Sequence, residues 1–134
     1  MVKYKKDNAT YEMKPDMANK VLYLTASGFF NDEDGKSFLN DYDKTVKTIP
    51  TKDYTLILDA PDLKPSSPDV AGMLIVLLER YIKVPFKKRY FITKGNSITM
   101  MQFKRLGSSI PGWTEGVEYV DDYQAALAKV KAQK

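Results

Sequence analysis

A chain of 134 residues fits one domain with enough mass for a core, and 43% hydrophobic with 28% charged residues suits neither disorder nor a membrane interior. With no cysteine and no histidine, disulfides, thiol chemistry, zinc-type sites and His-dependent nucleophilic mechanisms are all excluded. The formal net charge of +4 hides an asymmetry, because residues 80–105 carry eight of the 21 basic side chains and none of the 17 acidic ones.

Residues 1–9 are read as an N-terminal arm and 10–134 as a single α/β domain. The start, Met-Val-Lys-Tyr-Lys-Lys-Asp, has no apolar run behind it, so no secretory signal is read. Tyr11 and Met13 alternate with polar residues over 10–14, and Pro15-Asp16 follows, which predicts a strand and a turn. Val21 to Ala26 is rich in β-formers and closed by Gly28, completing a hairpin. Asn31 is placed to cap a helix whose first turn, Asp32-Glu33-Asp34, suits the positive end of the helix dipole. Phe38, Leu39, Tyr42, Val46 and Ile49 recur at helical spacing until Pro50.

Tyr54 to Asp59 is nearly continuously apolar, the mark of a strand buried on both faces. Ser67-Pro68-Asp69 combines an N-cap, a proline at the first helical position and an acid, so a helix runs from there to about Ile82, before Pro85. Its apolar stretch, Val70 to Leu78 interrupted by Gly72, is too short to span a bilayer. Arg89 to Thr93 is the next strand, Ser97 to about Ser109 a helix ended by Pro111-Gly112, and Gly116 to Val120 a short strand. Asp121 with Gln124 resembles a capping box opening a last, Ala-rich helix. Trp113, the only tryptophan, is expected to plug a loop against the core. The order β-β-α-β-α-β-α-β-α predicts an α/β fold, a single mixed sheet flanked by helices with its later strands parallel.

The central strand Leu56-Ile57-Leu58-Asp59, the helix Leu74 to Tyr81, the helix Ile98 to Leu106 with Gly107, and the closing Val117 to Asp121 with Ala125-Ala126-Leu127 resemble the STAS domain family. This family comprises anti-sigma-factor antagonists and regulatory domains of sulfate transporters. The resemblance spans residues 10 to 132 and implies a regulatory protein-interaction module. It also implies a phosphorylatable serine at the start of the second helix. A gap-free alignment puts that serine near Ala71 or Gly72, which cannot accept phosphate; a gapped one brings Ser66 or Ser67 there.

Two candidate surfaces follow. If the strands ending at Asp59 and Thr93 are parallel, Asp59, Ser66, Ser67, Lys94, Asn96 and Ser97 gather at the strand-end rim where α/β sheets bind ligands. Lys94, Asn96 and Ser97 beside a helix start would suit an anion; ordinary turn and capping chemistry is the alternative. The second surface is the outer side of the second and third helices: Gly72, Met73, Val76, Arg80 and Lys83 with Ile98 and Met101. A second layer of core is the alternative there. The leading expectation is a cytoplasmic, non-catalytic interaction module with a protein partner or a second copy. The alternatives are a carrier of a small anionic or apolar ligand at the rim, and an enzyme using carboxylate or lysine chemistry. No cofactor or metal is expected, and binding of nucleic acid to the basic segment is disfavoured for want of interleaved exposed aromatics.

Overall fold

Apolar side chains alternate between two faces along the central strands of the computed structural model, which describes residues 2–6, 8–65 and 67–132. The strands β1 (Val2–Lys6), β2 (Ala9–Asp16), β3 (Val21–Gly28), β4 (Thr55–Leu63), β5 (Lys88–Ile92) and β6 (Glu118–Val120) lie side by side in chain order. The first three pair antiparallel and β3 to β6 pair parallel. The helices are α1 (Asp32–Val46), α2 (Pro68–Lys83), α3 (Ser97–Gly107), the one-turn α4 (Trp113–Gly116) and α5 (Tyr123–Ala132). The fold is therefore a single-sheet, mixed α/β fold flanked by helices.

Successive crossovers of one hand, all stepping the same way along the sheet, bring α1, α2 and α3 to one face. Phe38, Tyr42, Leu74, Leu78, Tyr81, Met100 and Phe103 of these helices share the larger core with Leu22, Leu24, Leu56, Leu58 and Phe91. Each fully buried leucine there contributes about 1.5–3 kcal/mol. On the opposite face α5 alone sets Ala126 and Val130 against Val21, Ile57, Tyr90 and Ile92. As the continuous apolar run predicts, β4 is buried on both sides over its first residues. Trp113 is a plug: it is buried, a Cβ at Gly107 would come within 2.3 Å of its ring, and its indole N–H donates to the Tyr119 hydroxyl at 3.2 Å.

Three expectations need correction. Residues 2–6 are not an arm but the edge strand β1, paired with β2 from Val2↔Met13 to Lys6↔Ala9. Tyr4 stacks on Tyr11 with ring centroids 4.6 Å apart, and its hydroxyl donates to the buried Asp34 carboxylate at 2.8 Å, so β1 is tied to α1. The strand containing Asp59 continues to Leu63, because β3 pairs with it beyond the point where β5 stops. The last helix is capped by Asp122 rather than Asp121, the Asp122 carboxylate accepting the Ala125 N–H at 2.8 Å. No helix among the described residues is long and apolar enough to cross a membrane.

Candidate functional site

The α1–α2 seam is where the main core is incompletely filled. Gly35 lies on the inner stripe of α1, between Asp34 and the apolar residues Phe38 and Leu39, and leaves a gap that Met73 of α2 crosses. A Cβ at Gly35 would come within 2.5 Å of the Met73 sulfur. Behind this thioether is a cavity of about 60 Å³ whose walls include Phe30, Phe38, Leu39, Leu58, Leu74 and Leu77. Among the described residues Lys64, just after β4, is the one charged residue lining it. The Lys64 backbone is fixed by its N–H bond to the Gly28 carbonyl at 2.8 Å, and no ion pair among the described residues involves its ammonium. The volume is several times the roughly 10–15 Å³ that admits a water. It is well short of the roughly 300 Å³ of a preformed drug-sized pocket. A chain end of a few carbons fits as it stands, and anything larger requires the flexible Met73 to swing aside.

The rim residues separate into two places. Asp59 and Lys94 line one concavity with Tyr123 and Gln124, whereas Asn96 and Ser97 line another with Thr93 and Ile98. Asp59 accepts the Tyr23 hydroxyl at 2.6 Å; burial first and this bond second hold the Tyr23 phenol well above its ordinary range. Asn96 is fully engaged as a staple. Its amide donates to the Ala60 and Leu63 carbonyls at 2.8 and 2.6 Å, and its side-chain oxygen accepts the Thr99 N–H at 3.3 Å. Anion binding through Lys94, Asn96 and Ser97 together is thus not what the geometry assembles. Ser67 stands at the N-cap of α2, yet its side chain makes no capping bond. Ser66 lies outside the described residues.

The proposed partner surface also divides. Gly72 has open space above it, and Val76, Ile98 and Met101 are 40%, 72% and 68% exposed. Lys83 is exposed as well. Met73 and Arg80 belong elsewhere: Met73 is half-buried over Gly35, and Arg80 pairs with Asp43 of α1. The reason is α2's position between two helices. A central helix buries a wider arc than a lone one, and Met73, Leu77 and Arg80 form the i, i+4, i+7 stripe that faces α1. Two exposed apolar residues, Met17 and Phe29, were not anticipated.

Nor is the basic segment one surface. The half-buried Arg89 guanidinium donates to the Tyr81, Ile82 and Val84 carbonyls and, at 3.4 Å, to Gly116. It closes the C-terminal end of α2, whose last carbonyls have no partner within the helix. Among the described residues no three carboxylates converge as a metal site would require. The slot went unseen in the sequence because its parts are far apart in the chain; the one available signal was a glycine on the inner stripe of α1. No protein-family model matches the chain, and no curated protein sequence matches it either.

Proposed function

We propose that the protein is a non-catalytic binding module whose α1–α2 slot takes the apolar end of a small amphipathic acid, with Lys64 at the mouth meeting the acidic group. The observation that carries this reading is the slot itself: an almost wholly apolar cavity beside the carboxyl ends of β3 and β4, crossed by a methionine and edged, among the described residues, by one cation without an ion-pair partner. An apolar cavity with a few placed polar groups is the usual form of a small-molecule site. Position at the carboxyl ends of parallel strands supports it further. Decanoate and decanol, titrated calorimetrically, test the reading. Decanoate binds saturably and more tightly than decanol, Lys64→Glu removes that preference, and Met73→Ala tightens both by removing the plug. Absence of saturable binding to the native protein and to Met73→Ala alike would overturn it.

The exposed apolar side chains Val76 on α2 and Ile98 and Met101 on α3 favour a second reading, a STAS-type regulatory module that docks a protein on these helices, with Ser67 as its phosphoacceptor. Val76→Glu with Met101→Lys distinguishes the two, since it spares the slot and abolishes only such docking.

A further inference from the structure

The parallel register brings three connecting turns together at the end of the sheet opposite the slot. Val21 pairs with Thr55 and Thr55 with Lys88, so the residues preceding β3, β4 and β5 stand in one row. The Thr55 N–H donates to the Lys20 carbonyl and the Lys87 N–H to the Tyr54 carbonyl, each at 2.9 Å, which fixes the row. Lys20 and Lys87 thus flank the start of β4 at two strand spacings, roughly 10 Å. Lys52, on the 3₁₀ turn Thr51–Asp53, lies between them in the chain order of the sheet. All three lysines line a single concavity of about 510 Å³, whose only acidic residue among the described residues is Asp53. None of the ion pairs among the described residues uses any of the three.

Lysines in the last turns of helices, such as Lys44 and Lys83, are explained by the negative end of the helix dipole. Lys20 and Lys87 lie in connecting turns, and Lys52 on a 3₁₀ turn of three residues, too short for an appreciable dipole, so none of the three has that explanation. Among the described residues, three ammonium groups against one carboxylate give the basin a surplus of two positive charges, the complement of a phosphate dianion. Lysine meets phosphate as a compact point charge on a flexible stem. Among the described residues the lining contains no aromatic ring on which a nucleobase could stack.

We propose that this basin is a second binding site, independent of the slot, for a phosphate-bearing small group: a soluble phosphorylated metabolite or the headgroup of a phosphate-exposing lipid. The probes are inorganic pyrophosphate, and vesicles of phosphatidylcholine with or without phosphatidic acid. The variant carries Lys20→Asn, Lys52→Gln and Lys87→Gln. All three side chains are exposed, and asparagine tolerates the positive φ of 55° at position 20. Pyrophosphate binds the native protein, raises its unfolding midpoint, weakens steeply with added salt, and loses at least tenfold in affinity in the variant. Binding to phosphatidic acid vesicles without binding to pyrophosphate supports the site and assigns it to a lipid headgroup. The control Lys83→Gln, Lys104→Gln, Arg105→Gln removes as much charge elsewhere and leaves binding unchanged. Should the triple variant fail to fold, Lys52→Gln and Lys87→Gln are read singly, each with a severalfold loss. The proposal is overturned if neither probe binds, or if the control loses as much as the variant.

Discussion

Replacing Arg89 by methionine keeps the aliphatic stem and removes the guanidinium that closes α2. The bonds at stake run to the Tyr81 carbonyl, to Ile82 at 3.1 Å and to Val84 at 2.7 Å, while the contact with Gly116 at 3.4 Å is marginal. Val84 keeps a second donor, the Phe86 N–H at 2.8 Å, so only Tyr81 and Ile82 lose their main partner. An orphaned carbonyl costs about 1–3 kcal/mol, and a hydrogen bond to a charged group contributes about 1.5–3 kcal/mol. Desolvation of the half-buried guanidinium, which also pushes its pKa down, offsets part of this. The expected loss is about 3 kcal/mol for Arg89→Met, measured by urea unfolding with an unchanged denaturant slope. Arg89→Lys, which keeps the charge but cannot fork, loses roughly half as much. Arg105→Ala, at an exposed position, stays within about 0.5 kcal/mol. A loss below about 1 kcal/mol for Arg89→Met would refute the assignment of this arginine to the helix end.

The two helix starts should respond differently to loss of their caps. Asn31 and Asp34 cap each other through bonds of 2.9 Å, so Asn31→Ala costs about 1 kcal/mol, whereas Ser67→Ala is close to neutral in the same unfolding measurement. Equal losses at both would contradict the α2 geometry. Alkaline stability carries a further test. Burial raises the phenols of Tyr11, Tyr23, Tyr42 and Tyr81 above the ordinary value of 10.0, with Asp41 and Asp59 adding to the rise at Tyr11 and Tyr23. Their contribution is complete below pH 10.0 and is lost as pH rises beyond it, because the unfolded chain ionises first. Each phenol withheld from ionisation costs about 1.4 kcal/mol per pH unit there. Tyrosinate absorbance from these residues should therefore appear together with loss of secondary structure. Their titration near pH 10 in a still-folded chain would refute it.

What the sequence made legible was local. Asn31 followed by three acids announced the start of α1 because the cap and the dipole act within one turn, and the apolar run Leu56-Ile57-Leu58 announced a strand covered on both faces. What escaped depends on partners distant in the chain. Val2 and Tyr4 stand alone among lysines, and only Tyr11 on the neighbouring strand and Asp34 on α1 show why they form β1. Helical phase placed Met73 opposite the core stripe, as it is for a helix with one neighbour. With α1 and α3 on either side of α2, that position becomes interior. Asn96 carried the look of a ligand-binding residue, and it is consumed in joining α3 to the end of β4. The three lysines of the basin sit on separate turns, and only the parallel register makes them neighbours.

The slot can be observed directly through its own methionine. With the methyl groups of the six methionines isotopically labelled, decanoate is titrated while methyl resonances are followed by NMR. Met73 crosses the slot, while Met17 and Met101 are 79% and 68% exposed and remote from it in the chain. If the slot is the binding site, the Met73 resonance shifts saturably, with those of Met17 and Met101 unmoved. A saturable shift at Met17 or Met101 with Met73 silent would contradict it.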